Sequence, residues 1–177
     1  MIEIVPYDSA WPARFDAEAA QIRGVLGARV LRVDHVGSTS VIGLAAKSII
    51  DIQVSVATLD NFDEYSQPLA RLGYTHVPMG DFDLVYPFFQ KPKRWPSSHH
   101  VHLCVGGGEQ ERRHLAFRDY LRLHPEVAAR YAELKRGLAL VHIGNTKASR
   151  ERYSSAKSGF INSVLERALG GSVAADE

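Results

Sequence analysis

Cysteine is almost missing from this chain. Cys104 is the one thiol in 177 residues, so no intrachain disulfide can form, and a reducing, cytoplasmic setting is expected. Charge of one sign is not in excess either. Twenty-one Lys and Arg against 20 Asp and Glu leave a net charge of +1, which gives no global field to draw the chain onto nucleic acid. Any recognition of phosphate must then come from a local cluster. No apolar run approaches the ~20 residues that a membrane helix requires, so no membrane partner is expected. The first residues, Met-Ile-Glu-Ile-Val-Pro, lack the basic region and apolar core of a signal peptide. Repeats are absent.

What remains is ordinary globular material, with 45% apolar and 23% charged residues. The length suits one domain with a full core, expected over residues 1–169. Residues 170–177 are small, polar and acidic, and are expected to be a disordered tail.

The stretch with most chemistry runs from Val36-Gly37-Ser38-Thr39-Ser40 to Ile49-Ile50-Asp51-Ile52-Gln53-Val54. It reads as a strand, a turn of small residues, a short connection and a second strand that carries an acid. Gly37 lets the backbone approach a ligand closely because it has no Cβ. Ser38, Thr39 and Ser40 add hydroxyls and backbone N–H groups, which favour a phosphate if a helix starts there. Strand alternation puts Asp51 and Gln53 on one face, with Ile50, Ile52 and Val54 on the other. A carboxylate in so apolar a run must be solvated, paired or on a metal. The alternative is an ordinary turn beside an acid that faces water.

Along the chain, Pro12 suits the first turn of a helix that ends at Gly27. Val30–Val36 is the first central strand, and His35, two residues before Gly37, is expected near the site, or else is a structural histidine. Lys47, four residues before Asp51, is placed to meet a phosphate, or else is an exposed lysine. Ile49–Val56 is the second strand. Leu59–Leu72 is a helix that Pro68 should kink or split. Tyr74–Val77 and Leu84–Gln90 read as strands around a turn at Gly80–Asp83. The basic loop Lys91–Ser98 holds Trp95 and is placed to cover a phosphate-bearing ligand, or else is a solvated hairpin loop. His99–Cys104 begins a further strand, on which His100, His102 and Cys104 share one face, a spacing that also permits zinc. Helices follow over Glu109–His124 and from Pro125, with a turn at Gly144 and Asn145. Lys147–Leu169 reads as a single last helix, with Lys157 on its mostly apolar face.

Gly37-Ser38 followed by Asp51-Ile52-Gln53-Val54 resembles the motif of the nucleotidyltransferase superfamily. More closely, the run His35–Ile52 (HVGSTSVIGLAAKSIIDI) resembles the GrpB family (UPF0157), a branch of that superfamily. Ile4–Asp8 with Trp11 and Pro12, His100-Val101-His102, Arg113–Leu121, and Tyr153 with Lys157 and Phe160 extend the likeness over nearly the whole chain. Ile42 and Ser48 stand where the family usually has proline, and Gln53 replaces the second acid of the superfamily.

The fold expected is α+β: a nucleotidyltransferase-like mixed sheet holding the motif, flanked by helices and with a helical C-terminal part. The resemblance implies binding of a nucleotide or other phosphorylated small molecule, and nucleotidyl transfer if the protein is an enzyme. Asp51 would then be catalytic and hold Mg²⁺, while Gly37, Ser38 and Thr39 would bind the triphosphate. Lys47, Arg118, Tyr153 and Lys157 would join them on the phosphates. His100 and His102 would line the site and help bind a metal, beside His35 and Gln53. The family's domain is also found fused to dephospho-CoA kinase, which implies a non-catalytic binding or accessory role as the alternative, and the neutral Gln53 speaks for it. A zinc hydrolase is a third reading.

Overall fold

The computed structural model describes residues 2–142 and 146–170. The turn expected at Gly144 and Asn145 and the tail 171–177 lie outside the described residues. Helix α1 (Trp11–Leu26) starts with Pro12 in its first turn and stops at Gly27, whose φ of +57° suits glycine. Strands β1 (Val30–Val36) and β2 (Ile50–Val56) follow, joined by a connection that opens with a 3₁₀ turn at Ser38–Ser40 and pairs with Val5 at Ala46. Next come α2 (Asp63–Arg71), β3 (Thr75–His76), a 3₁₀ turn at Gly80–Leu84, β4 (Phe88–Lys91) and β5 (His99–Val105). Helices α3 (Glu109–Leu123), α4 (Pro125–Val141), α5 (Lys147–Ser155) and α6 (Ser158–Gly170) complete the described chain.

One mixed sheet of five strands has the order β1-β2-β5-β4-β3. All its pairs are antiparallel except β2 with β5. That parallel pair decides the site, because its register sets Asp51 beside His100 and Gln53 beside His102. The face of the sheet carrying Val33, Ile50, Ile52, Val54, Val101 and Leu103 is buried with Trp11, Ile22 and Leu26 of α1 and Leu69 of α2. A second apolar cluster joins the connection residues Val41, Leu44 and Ala45 to Leu121 of α3, Tyr131 of α4 and Val164 of α6. The opposite, polar face of the sheet looks toward these C-terminal helices.

Three expectations are corrected. Pro68 lies inside α2 without splitting it, at the cost of one intrahelical hydrogen bond, since it has no N–H to offer the Glu64 carbonyl. Leu84–Pro87 is not strand; the chain turns through a 3₁₀ segment there and pairs only from Phe88. The last helix is broken between Ser155 and Ser158.

Trp11 is fully buried and its indole N–H reaches Ser48 Oγ at 3.4 Å. Trp11→Ala is expected to destabilise the protein by about 3–5 kcal/mol through the cavity it leaves. Urea unfolding measures this, and a loss under 1 kcal/mol would contradict the packing.

Candidate functional site

The cleft of about 810 Å³ lies between the polar face of the sheet and helices α3 to α6. Its floor is the Gly37–Ser38 turn with Asp51 and His100. Gly37 has φ +68° and ψ −173°, a conformation open essentially to glycine alone. A Cβ there would stand 2.9 Å from Asp51 Cβ and collide with its carboxylate. The turn and the acid are therefore in contact because residue 37 has no side chain.

His100 donates from Nδ1 to Asp51 Oδ1 at 3.0 Å. Burial works to raise the Asp51 pKa, but the hydrogen bond and charge of His100, with Lys47 beyond, hold it down at about 2. Asp51 is thus a carboxylate throughout the physiological range. Gln53 is fully buried, and its Oε1 accepts from the Tyr86 hydroxyl at 3.0 Å. His102 is stacked between Tyr86 and Phe88. Burial lowers its pKa to about 3, so it is neutral at pH 7.

Cations converge on the other walls. Lys47, Arg113, Lys135, Lys147 and Lys157 all line the cleft. Lys47 lies 5.6 Å from the Trp95 ring and 5.5 Å from that of Tyr153. Lys157 sits 4.6 Å from the Tyr153 ring centre. The break between α5 and α6 is what turns Lys157 into the cleft, since it occupies the junction rather than a helix face. Burial, with Lys47 nearby, lowers its pKa to about 8 against the pull of Asp51. Lys135, on α4, is 3% exposed and donates to Ser38 Oγ at 2.9 Å and to the Ala45 carbonyl. Burial lowers its pKa to about 7, helped by Lys157, Arg136 and Lys47.

The profile of the GrpB family, described as "GrpB protein", matches residues 1–167. The chain belongs to the GrpB family. It is similar to a crystal structure of the conserved protein GrpB from Enterococcus faecalis, at 36% identity and a TM-score of 0.82, covering 96% of this chain and 98% of that one. It is 37% identical over 142 residues to the UPF0157 protein YqkA of Bacillus subtilis, covering 80% of this chain but 40% of that protein. A dephospho-CoA kinase of Mycolicibacterium paratuberculosis is 32% identical over 158 residues, covering 76% of this chain and 39% of the kinase. The chain therefore spans well under half the length of some curated relatives that it matches.

Gly37, Ser38, Lys47, Asp51, His100, His102, Tyr153 and Lys157 are brought together at this GrpB-family cleft. Thr39 lines it too, but its buried hydroxyl is spent on the Ile49 carbonyl and the His35 ring. The basic loop reaches the cleft through Trp95, which Arg150 covers at 4.7 Å.

Other expected residues are elsewhere. His35 pairs in register with Ile52, so alternation sends its side chain to the α1 face, where it stacks on Phe15 at 4.8 Å. Arg118 does not line the cleft. It binds Asp119, Asp34 and the His35 carbonyl, and so ties α3 to β1. Gln53 lies beneath the cleft, under Tyr86, not in its lining. Neither Asp81 nor Asp83 lines the cleft, and the Asp83 carboxylate is engaged by His76 and the Met79 N–H. Cys104 is buried against Ser55, its thiol pushed up to about 11 by burial, away from any zinc-like grouping with His100.

The motif reading missed Arg113, His114, Tyr131 and Lys135. Lys135 had a visible signal. It follows Tyr131 by one helical turn on the face of α4 that carries Val127 and Ala128, the same argument that singled out Lys157.

The donor set does not fit a metal held by the protein alone. Mg²⁺ takes six oxygens in a strict geometry. One oxygen of Asp51 already accepts from His100, and Gln53 is committed to Tyr86. Among the described residues no group of three or more His, Cys, Asp or Glu is gathered to hold an ion.

Proposed function

We propose that the cleft binds the phosphate groups of a nucleotide or other phosphorylated small molecule, and that it does so without a protein-held metal. The observation that carries this reading is the convergence of Lys47, Arg113 and Lys157 on a floor whose central acid, Asp51, is already engaged by His100. Several ammonium groups forced together in a half-buried space repel one another. A polyanion relieves that repulsion and gains charge-assisted hydrogen bonds. The dephospho-CoA kinase relative, whose name implies a nucleotide-bearing substrate, agrees with an accessory role next to such ligands.

Nucleotidyl transfer with Mg²⁺ on Asp51 is the second reading. The contact between Gly37 and Asp51 favours it, because it sets a carboxylate directly beside a phosphate-sized turn.

Isothermal titration with ATP, GTP, CTP, UTP and inorganic tripolyphosphate, each with and without Mg²⁺, separates the two. Binding is expected without Mg²⁺, and Asp51→Asn should strengthen it several-fold by removing a negative charge from the floor. Binding that needs Mg²⁺ and disappears in Asp51→Asn would establish the second reading instead. Failure of all five ligands would overturn both.

A further inference from the structure

We infer that Ser38 and Lys135 form a nucleophile–base pair that cleaves an ester or thioester whose leaving arm carries phosphate. The phosphate-bearing arm rests on the binding reading above; the pair itself rests on geometry that phosphate binding does not require.

Ser38 follows Gly37 at the turn where the backbone leaves β1, and it lines the cleft half-exposed. Lys135 Nζ stands 2.9 Å from its Oγ, within reach for direct proton transfer. The amine is also anchored, since it donates to the buried Ala45 carbonyl. Tyr131, one helical turn before Lys135, lines the cleft beside the same serine. A nucleophile, a base within hydrogen-bond reach and a third group that orients the base is the arrangement that activates serine on unrelated folds, including Ser–Lys variants.

The surroundings fit a base rather than a structural cation. The groups facing Lys135 are Lys47 of the connection, Lys157 at the α5–α6 junction and Arg136 of its own helix, with Asp51 of β2 and the Tyr131 ring, 4.7 Å away, in opposition. Burial and these cations bring its pKa to about 7, so a large fraction of the amine is neutral at neutral pH. Lysines matched in this way to the operating pH serve as general bases.

The step balances with water as the one co-reactant. Ser38 Oγ bonds to the acyl carbon as its proton passes to Nζ of Lys135. The bond from carbon to the leaving oxygen or sulfur breaks, and Lys135 returns the proton to that atom. Water then attacks the acyl carbon, again giving its proton to Lys135, and Oγ leaves with a proton. Lys47 and Lys157 offset the negative charge that develops in the cleft.

The test uses the intact chain and a fluorophosphonate probe, which forms an Oγ–phosphorus bond with loss of fluoride. Intact mass and peptide mapping are expected to show one label, on Ser38, with a rate that rises with pH to a plateau about a midpoint near 7. Ser38→Ala should abolish it. Lys135→Met should slow it at least a hundredfold, and Lys135→Arg should not restore it, because arginine stays protonated. The wild-type pH profile stands independently of whether the variants fold. No label on Ser38, or a label whose rate ignores pH, overturns the pair. Tripolyphosphate titrated into the same sample distinguishes the two ideas: absence of label with tripolyphosphate still bound overturns the pair alone, whereas absence of both overturns the phosphate cleft too.

Discussion

Gly37→Ala lowers the melting temperature by about 12 °C. Two separate costs add at this residue. The backbone at φ +68° and ψ −173° lies where a side chain is strained by 1–3 kcal/mol or so, and a methyl placed against Asp51 adds an overpacking cost of similar size. A total of about 4 kcal/mol corresponds to about 12 °C in a chain of this length. The second cost depends on the carboxylate, so the two residues are coupled. In the Gly37→Ala, Asp51→Ala double variant the loss should be smaller than the sum of the single losses by about 1–2 kcal/mol. Differential scanning calorimetry of the four proteins completes the cycle. A Gly37→Ala protein that melts within 3 °C of wild type would mean the turn and Asp51 can separate freely, and the floor of the cleft would have to be redrawn.

The same contact shows why so much of this molecule was legible in its sequence. β1 occupies Val30–Val36 and β2 starts within one residue of the expected place, because apolar runs bounded by Gly37 and a small-residue connection leave few options. Pro12 and Pro125 mark their helix starts for the same local reason. Leu84 and Val85 misled because they are apolar yet exposed on a turn, where an apolar run ordinarily means a buried strand. The break before α6 left no trace, since the helical spacing of Tyr153, Lys157 and Phe160 continues across it. In the cleft, Asp51 and His100 are 49 residues apart and meet through the parallel register of β2 and β5, which only the resemblance could anticipate. His35 was expected at the site from its neighbourhood and Arg118 from the resemblance, and both lie outside the cleft lining. Being two residues from Gly37 matters less than the period of two that turns His35 to the other face. Arg113 and Arg118 are five positions apart on α3, slightly over a third of a turn out of phase, so one reaches the cleft while the other reaches β1.

ATP affinity falls as pH rises through 8, and Lys157 is the reason. Its pKa is lowered to about 8, by burial first and by Lys47 second. Bound phosphate stabilises the ammonium form, so above that pKa binding must take up a proton. The dissociation constant then rises by about tenfold per pH unit. The terminal phosphate ionises near 6, so the ligand's own charge is constant over the window from pH 7.5 to 9.5. Folding runs the other way. A lysine depressed from 10.5 to about 8 holds fewer protons folded than unfolded between those values, so the stability of the ligand-free protein increases with pH there. Lys135, lowered to about 7, extends the same slope downward. Affinity and stability with opposite pH dependence over one window is a combination that an ordinary exposed lysine does not produce. Lys157→Met should cost about thirtyfold in ATP affinity at pH 7, equivalent to ~2 kcal/mol for a hydrogen bond to a charged group, and should flatten the fall above pH 8. Titration calorimetry at pH 7.5, 8.5 and 9.5, with urea melts at the same values, measures both trends. An affinity that stays level across that range would place Lys157 away from the phosphates, with Lys47 and Arg113 left to hold them.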